Sequence, residues 1–136
     1  MPKIKTAPKT LTVHCDGGCS ANGTPEGQMY YSFAVNGQRI VERQDLGHGT
    51  NNQAEYLALL EAARHITRAG VQVKVNFLSD SALIVNQVLG RWKINDPKLR
   101  LLRSEFVELM SRSAGVVVAW SIGYVPRQEI VSMLGH

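Results

Sequence analysis

Asn36-Gly37 joins two strand-like segments, Gln28 to Val35 and Arg39 to Asp45, and no other feature limits the fold as much. Both residues reach positive φ at low cost, as a two-residue hairpin turn requires. An antiparallel pair is therefore expected early in the chain. Just upstream, Leu11-Thr12-Val13-His14-Cys15-Asp16 alternates with period two and reads as another strand. It is expected to end at Asp16-Gly17-Gly18, a turn that glycines make cheaply. Ser20 to Gly27, rich in Gly, Asn and Pro, reads as a loop.

After the hairpin the period changes to helical. Leu46 to Thr50 leads into a helix in which Leu59, Ala62 and Ile66 share one stripe. Asn51 or Asn52 is the expected N-cap, and Gly70 the C′ residue. Val71, Val73, Val75 and Phe77 mark a fourth strand with Ser79-Asp80-Ser81 at its end. Asp80 or Ser79 would cap a short helix through Leu89, stopped by Gly90. In the following link, Trp92 lies between Arg91 and Lys93. Such a tryptophan can stack on a sugar or base, but closing the edge of the core is the favoured reading. Asp96-Pro97 opens a further helix with Leu99, Leu102, Phe106 and Leu109 inward. Gly115 breaks it, Val116 to Tyr124 reads as the fifth strand, and Gln128 to Leu134 as a last helical turn or two. A hairpin beside parallel crossovers makes this an α/β chain: a five-stranded mixed sheet flanked by helices.

The 136 residues suit one domain, from residue 10 to 136, preceded by a loose basic arm over residues 1–9 with three lysines and two prolines. No apolar run reaches the length of a membrane span, and no signal-peptide core opens the chain, so no membrane partner is expected. Cys15 and Cys19 form no disulfide framework, which makes a reducing cytoplasm the expected setting. A net charge of +4 and a pI near 9.3 point weakly to a polyanionic partner.

The acids sharpen that. Asp16 and Asp80 each close a strand, out of phase with its apolar positions, and the crevice beyond strand carboxyl ends is where α/β sheets take ligands. Glu55 sits one turn before Leu59 on the inward helix face, where a carboxylate is costly without a cation. If all three meet, their mutual repulsion calls for a divalent ion, and hard oxygen ligands select Mg²⁺ or Mn²⁺. The plain alternative is that they are turn formers and helix caps.

Three runs, Asp16-Gly17-Gly18-Cys19-Ser20-Ala21-Asn22-Gly23, Gly49-Thr50-Asn51-Asn52-Gln53-Ala54-Glu55-Tyr56 and Ser79-Asp80-Ser81, resemble ribonuclease H of type 1 in order and separation. The similarity in element order extends from about Leu11 to Arg127, and Gly90, Trp120 and Val125-Pro126-Arg127 match common family features. The resemblance implies an endonuclease that hydrolyses the RNA strand of RNA–DNA hybrids, leaving 5′-phosphate and 3′-hydroxyl ends. Asp16, Glu55 and Asp80 align with the family's catalytic metal ligands. They would hold two Mg²⁺ ions, with Mn²⁺ as a substitute, one activating water and the other stabilising the departing 3′-oxygen. Gly17, Gly18 and Cys19, with the amides of Asn51, Asn52 and Gln53, align with contacts to 2′-hydroxyls and base edges, and Ser81 joins them. Glycines there would let the backbone approach the sugar closely. Asn22, Thr50 and Asn51 match a pocket for a phosphate of the DNA strand. Cys19 is read as a small residue in a tight loop, not as a nucleophile. The link from Gly90 to Pro97 is too short for the basic protrusion of some members, so the chain resembles the compact form, whose grip on long hybrids should be weaker and more salt-sensitive. A monomer is the working expectation, with no sequence feature behind it.

Its tail departs from the family pattern. With Arg127 in register, Ile130 stands where an asparagine is usual and Leu134 where the fourth metal acid is usual. Tyr124 takes the place of a loop histidine that assists product release. Three acids plus substrate phosphates would hold the metals in a slower or Mn²⁺-favouring enzyme. Alternatively, Glu129 or the terminal carboxylate of His136 serves as the fourth ligand, or the domain binds hybrids or double-stranded RNA without cutting. Retained activity is favoured, because the three acids and the 2′-hydroxyl-reading loop are intact. A nuclease acting on DNA alone would leave the Asn-Asn-Gln and Gly-Gly-Cys elements without a task.

Overall fold

The computed structural model describes residues 7–135. The chain runs β1 (Lys9–Ser20), β2 (Gln28–Val35), β3 (Gln38–His48), α1 (Asn51–Thr67), β4 (Val73–Ser79), α2 (Ala82–Val88), α3 (Pro97–Arg112), β5 (Val117–Tyr124) and α4 (Arg127–Leu134). One sheet takes all five strands in the order β3-β2-β1-β4-β5. β1, β2 and β3 pair antiparallel, whereas β4 lies parallel to both β1 and β5. The mixed sheet is the one expected. Asn36 and Gly37 sit at φ 50° and 79°, the doubly positive turn that the Asn-Gly pair foretells.

Several local expectations are corrected. β1 does not end at Asp16: it continues through Gly17 and Gly18 to Ser20, because β2 supplies partners as far as Ser20↔Gln28. Cys19 is therefore a strand residue and not part of a tight loop. β1 also starts at Lys9, inside the stretch read as a basic arm, of which residues 1–6 lie outside the described residues. Thr50, not an asparagine, caps α1, in a capping box with Gln53. Ser81, not Ser79 or Asp80, caps α2 by accepting the Ile84 N–H at 3.3 Å. Trp92 does not close the core edge, being 49% exposed beside a shallow hollow lined by Gln87, Ile94 and Arg100. No helix among the described residues is long and apolar enough to cross a membrane.

The two sheet faces carry unequal loads. Val13 and Cys15 of β1 and Val73, Val75 and Phe77 of β4 merge with α1, α2 and α3 into the main core. There Phe106 of α3 meets Phe77 edge-on at 5.4 Å and Trp120 at 5.2 Å. Phe77 and Phe106 are fully buried, each contributing about 2–3 kcal/mol by removal from water. On the opposite face α4 covers a small cluster of Ala34, Leu78, Val125, Ile130 and Leu134. Residues of one strand alternate between these faces. His14, Asp16 and, one step beyond β4, Asp80 thus fall on the α4 side.

Candidate active site

The parallel ladder between β1 and β4 ends at His14↔Leu78. One step of two residues further, Asp16, within β1, and Asp80, just past the end of β4, come onto one face of these neighbouring parallel strands. Asp16 is 5% exposed and the Asp80 side chain 12%. Glu55 comes from the first turns of α1, which can press onto β1 only because residue 17 lacks a side chain. A Cβ on Gly17 would stand 2.1 Å from the Ala54 carbonyl oxygen. Glu55 Oε1 accepts the Gly17 N–H at 2.5 Å, and this ties helix to strand. One carboxylate oxygen from each of Asp16, Glu55 and Asp80 lies within 4.8 Å of the others. The three acids, separated by 64 positions from Asp16 to Asp80 in the sequence, do converge.

Their electrostatics favour a bound cation. Burial, and then repulsion from Asp16 and Asp80, push the Glu55 carboxyl up to about 9, although the Gly17 N–H works the other way. In the main-core direction, burial with the charges of Glu55 and Asp16 pushes the Cys15 thiol far up, so it is inert. Among the described residues, the charge opposing the acids is Arg127, at the start of α4. Its Nη1 donates to Asp16 Oδ2 at 3.1 Å and to Asp80 Oδ2 at 3.0 Å. Partial burial works against its charge, but the bonds to Asp80 and Asp16 prevail and raise its pKa.

A cleft of about 370 Å³ opens over the acids, lined also by Gly17, Gly18, Tyr30, Asn51, Asn52, Ser81 and Arg127. Cys19, Asn22, Thr50 and Gln53 of the sequence motifs are not among the cleft-lining residues. Gln53 Oε1 accepts the Thr50 N–H at 3.1 Å, closing the capping box. Asn22 Oδ1 accepts the Asn51 N–H at 2.9 Å, strapping the 21–27 loop to the start of α1. Cys19 Sγ donates to the Gly49 carbonyl at 3.1 Å. Tyr30 is missing from the sequence-derived set. The only signal for it was its place in β2, opposite Gly18.

The C-terminal candidates are placed differently. Glu129 Oε2 is engaged at 2.8 Å by Nε2 of the buried His14, which holds α4 to the sheet and leaves Glu129 outside the acid cluster. Leu134 is 3% exposed in the apolar cluster beneath α4. Tyr124, 57% exposed at the end of β5, is not among the cleft-lining residues. His136 lies outside the described residues.

The family model for RNase H matches residues 8–120, ending ahead of this atypical tail. Ribonuclease HI of Halobacterium salinarum is 34% identical over 113 residues, which cover 82% of this chain and 54% of that one. The chain thus spans about half the length of this curated relative. The crystal structure of RNase H1 from the same archaeon superimposes with a TM-score of 0.73 at 30% identity, covering 89% of both chains. The N-terminal RNase H domain of a Mycobacterium tuberculosis protein gives 0.74 at 27% identity, covering 90% of this chain and 92% of that one. LC11-RNase H1, solved in complex with an RNA/DNA hybrid, gives 0.76 at 25% identity, covering 88% and 87%. A matched domain model over most of the length, the sheet order and the three converging carboxylates agree: the chain belongs to the RNase H family.

Proposed function

We propose that this chain is a divalent-metal-dependent endonuclease that hydrolyses the RNA strand of RNA–DNA hybrids. The observation that carries the reading is the meeting of Asp16, Glu55 and Asp80 within 4.8 Å at the mouth of a polar cleft. The donor set fits Mg²⁺ or Mn²⁺: three hard carboxylate oxygens, with the Glu55 carboxyl pushed up first by burial and then by the charges of Asp16 and Asp80, so that a cation there would be favoured. Two such ions would supply a water nucleophile at neutral pH and neutralise charge on the phosphate.

The chain's own residues do the positioning. Asp16 is fixed within β1, Asp80 just past the end of the adjacent β4, and Glu55 by its bond to the Gly17 N–H. Asn51, Asn52 and Ser81 offer polar groups along the cleft to sugars and phosphates of a strand laid across it. Arg127 presents a guanidinium suited to a phosphate once the carboxylates have another counter-ion. In the hydrolysis a water oxygen bonds to phosphorus as the P–O3′ bond breaks, and the 3′-oxygen leaves with a proton. The hybrid in the LC11-RNase H1 structure supports the same substrate class here.

A second reading, a module that binds hybrids or double-stranded RNA without cutting, draws on Leu134 standing buried where the family carries an acid. One experiment separates them. A hybrid labelled on the RNA strand, with matched duplex DNA and duplex RNA, is incubated with Mg²⁺, Mn²⁺ or EDTA. Metal-dependent cuts confined to the hybrid's RNA strand support the nuclease; tight binding with no cuts in either metal supports the module.

A further inference from the structure

Gly18 and Tyr30 face each other across the β1–β2 ladder, on the same sheet face as Asp16 two residues away. The surface over Gly18 is not open. A Cβ there would stand 2.4 Å from the Tyr30 hydroxyl oxygen, so the phenol already occupies the space that the glycine leaves. A nucleic-acid strand reaching Gly18 therefore meets Tyr30 before it meets backbone. The ring is braced from the other side: the Arg43 guanidinium carbon lies 4.0 Å from its centroid, and Asp45 engages Arg43 Nε at 3.5 Å. Among the described residues no hydrogen-bond partner holds the Tyr30 hydroxyl. Among the described residues, Tyr30 is also the one aromatic residue lining the cleft that contains the three acids.

We propose that Tyr30 is a substrate-selecting residue, whose hydroxyl hydrogen-bonds a ribose 2′-hydroxyl of the strand to be cut while Arg43 holds the ring in place. A phenol both donates and accepts, matching the donor and acceptor character of the 2′-hydroxyl, and a deoxyribose offers it nothing. Two aromatic torsions braced by a cation lose little freedom on contact. Gly18 is then required by Tyr30, and Tyr30 reads the sugar. This rests on the hybrid-nuclease reading above.

The test uses Tyr30→Phe, which keeps the ring, and a set of hybrids carrying one deoxyribose at each successive position near the cut. Wild type should lose about three- to tenfold in kcat/KM at one position, the loss of a single hydrogen bond. Tyr30→Phe should show that loss on the all-ribose strand, mostly in KM, and no further loss at that position. An equal response of both proteins at every position overturns the proposal. Binding in EDTA decides it independently of cleavage. Tyr30→Phe should lower the preference for hybrid over duplex DNA by a similar factor, and an unchanged preference overturns it. A wild-type chain that cuts nothing would instead overturn the nuclease reading, leaving the EDTA comparison to judge Tyr30.

Discussion

Replacing Arg127 with alanine should make the site bind divalent ions more tightly. The guanidinium and an incoming ion compete for the same two carboxylates, of which Nη1 meets Asp16 Oδ2 at 3.1 Å and Asp80 Oδ2 at 3.0 Å. For charge centres about 4 Å apart, an effective dielectric of 20 gives roughly 4 kcal/mol per pair. That figure is too large here, because the arginine side chain is 54% exposed although Asp16 and Asp80 are only 6% and 12% exposed. Exposed pairs measure at about 1 kcal/mol or less, so about 1–2 kcal/mol for the two contacts together is a reasonable value. Losing it should tighten Mn²⁺ binding by about 5- to 30-fold. Isothermal titration of the nucleic-acid-free protein with Mn²⁺ at pH 8 reads this directly. Urea unfolding in EDTA should show the complementary loss of about 1–2 kcal/mol, restored by saturating Mn²⁺. Cleavage should fall even as the ion binds better, since a phosphate-facing cation is gone. An affinity that stays level or weakens would refute the competition.

Four further outcomes follow from the same geometry. Asp16→Asn and Asp80→Asn should each lower hybrid cleavage by about a thousandfold or more while circular dichroism stays native. Glu55 has a folded-state pKa raised from 4.5 to about 9, so the metal-free fold binds an extra proton between those values. Its stability in EDTA should therefore fall as pH rises from about 4.5 through 9, whereas apparent Mg²⁺ affinity should rise over that window, as pH-resolved denaturation and metal titration will show. Leu134→Asp should not restore a fourth ligand. It buries a carboxylate among Ala34, Val125 and Ile130 and should cost about 2–4 kcal/mol in urea unfolding with no gain in cleavage. Glu129→Gln should leave Mn²⁺ affinity unchanged, because Glu129 serves His14, and cost about 1 kcal/mol of stability.

The sequence exposed most strongly what depends on local periodicity and turn chemistry. Asn36-Gly37 fixed the hairpin, the valine alternation fixed β4, and Asp96-Pro97 fixed the start of α3, capped by Asp96 Oδ1 on the Lys98 and Leu99 N–H groups. Strand ends were harder to read, since they depend on the partner. Gly17 and Gly18 look like a turn in isolation, yet they continue β1 because Tyr31 and Tyr30 of β2 pair with them. The acids were legible as candidates from their phase in each strand, but their meeting depends on Gly17 admitting α1 so closely. Neither Arg127's bond to two carboxylates nor Tyr30's place over Gly18 leaves a local trace, because each joins residues set together only by the sheet and α4. The Thr50 cap, by contrast, is local: Thr50-Asn51-Asn52-Gln53 is a capping-box pattern, which places Asn51 one residue inside the helix.

The arrangement of carboxylates is tested most directly by anomalous scattering from crystals grown with Mn²⁺. A peak bounded by oxygens of Asp16, Glu55 and Asp80 is expected, with Arg127 withdrawn from the first and last of them. Crystals with Mn²⁺ bound elsewhere, or with Arg127 still bridging two carboxylates and no ion beside them, would contradict it.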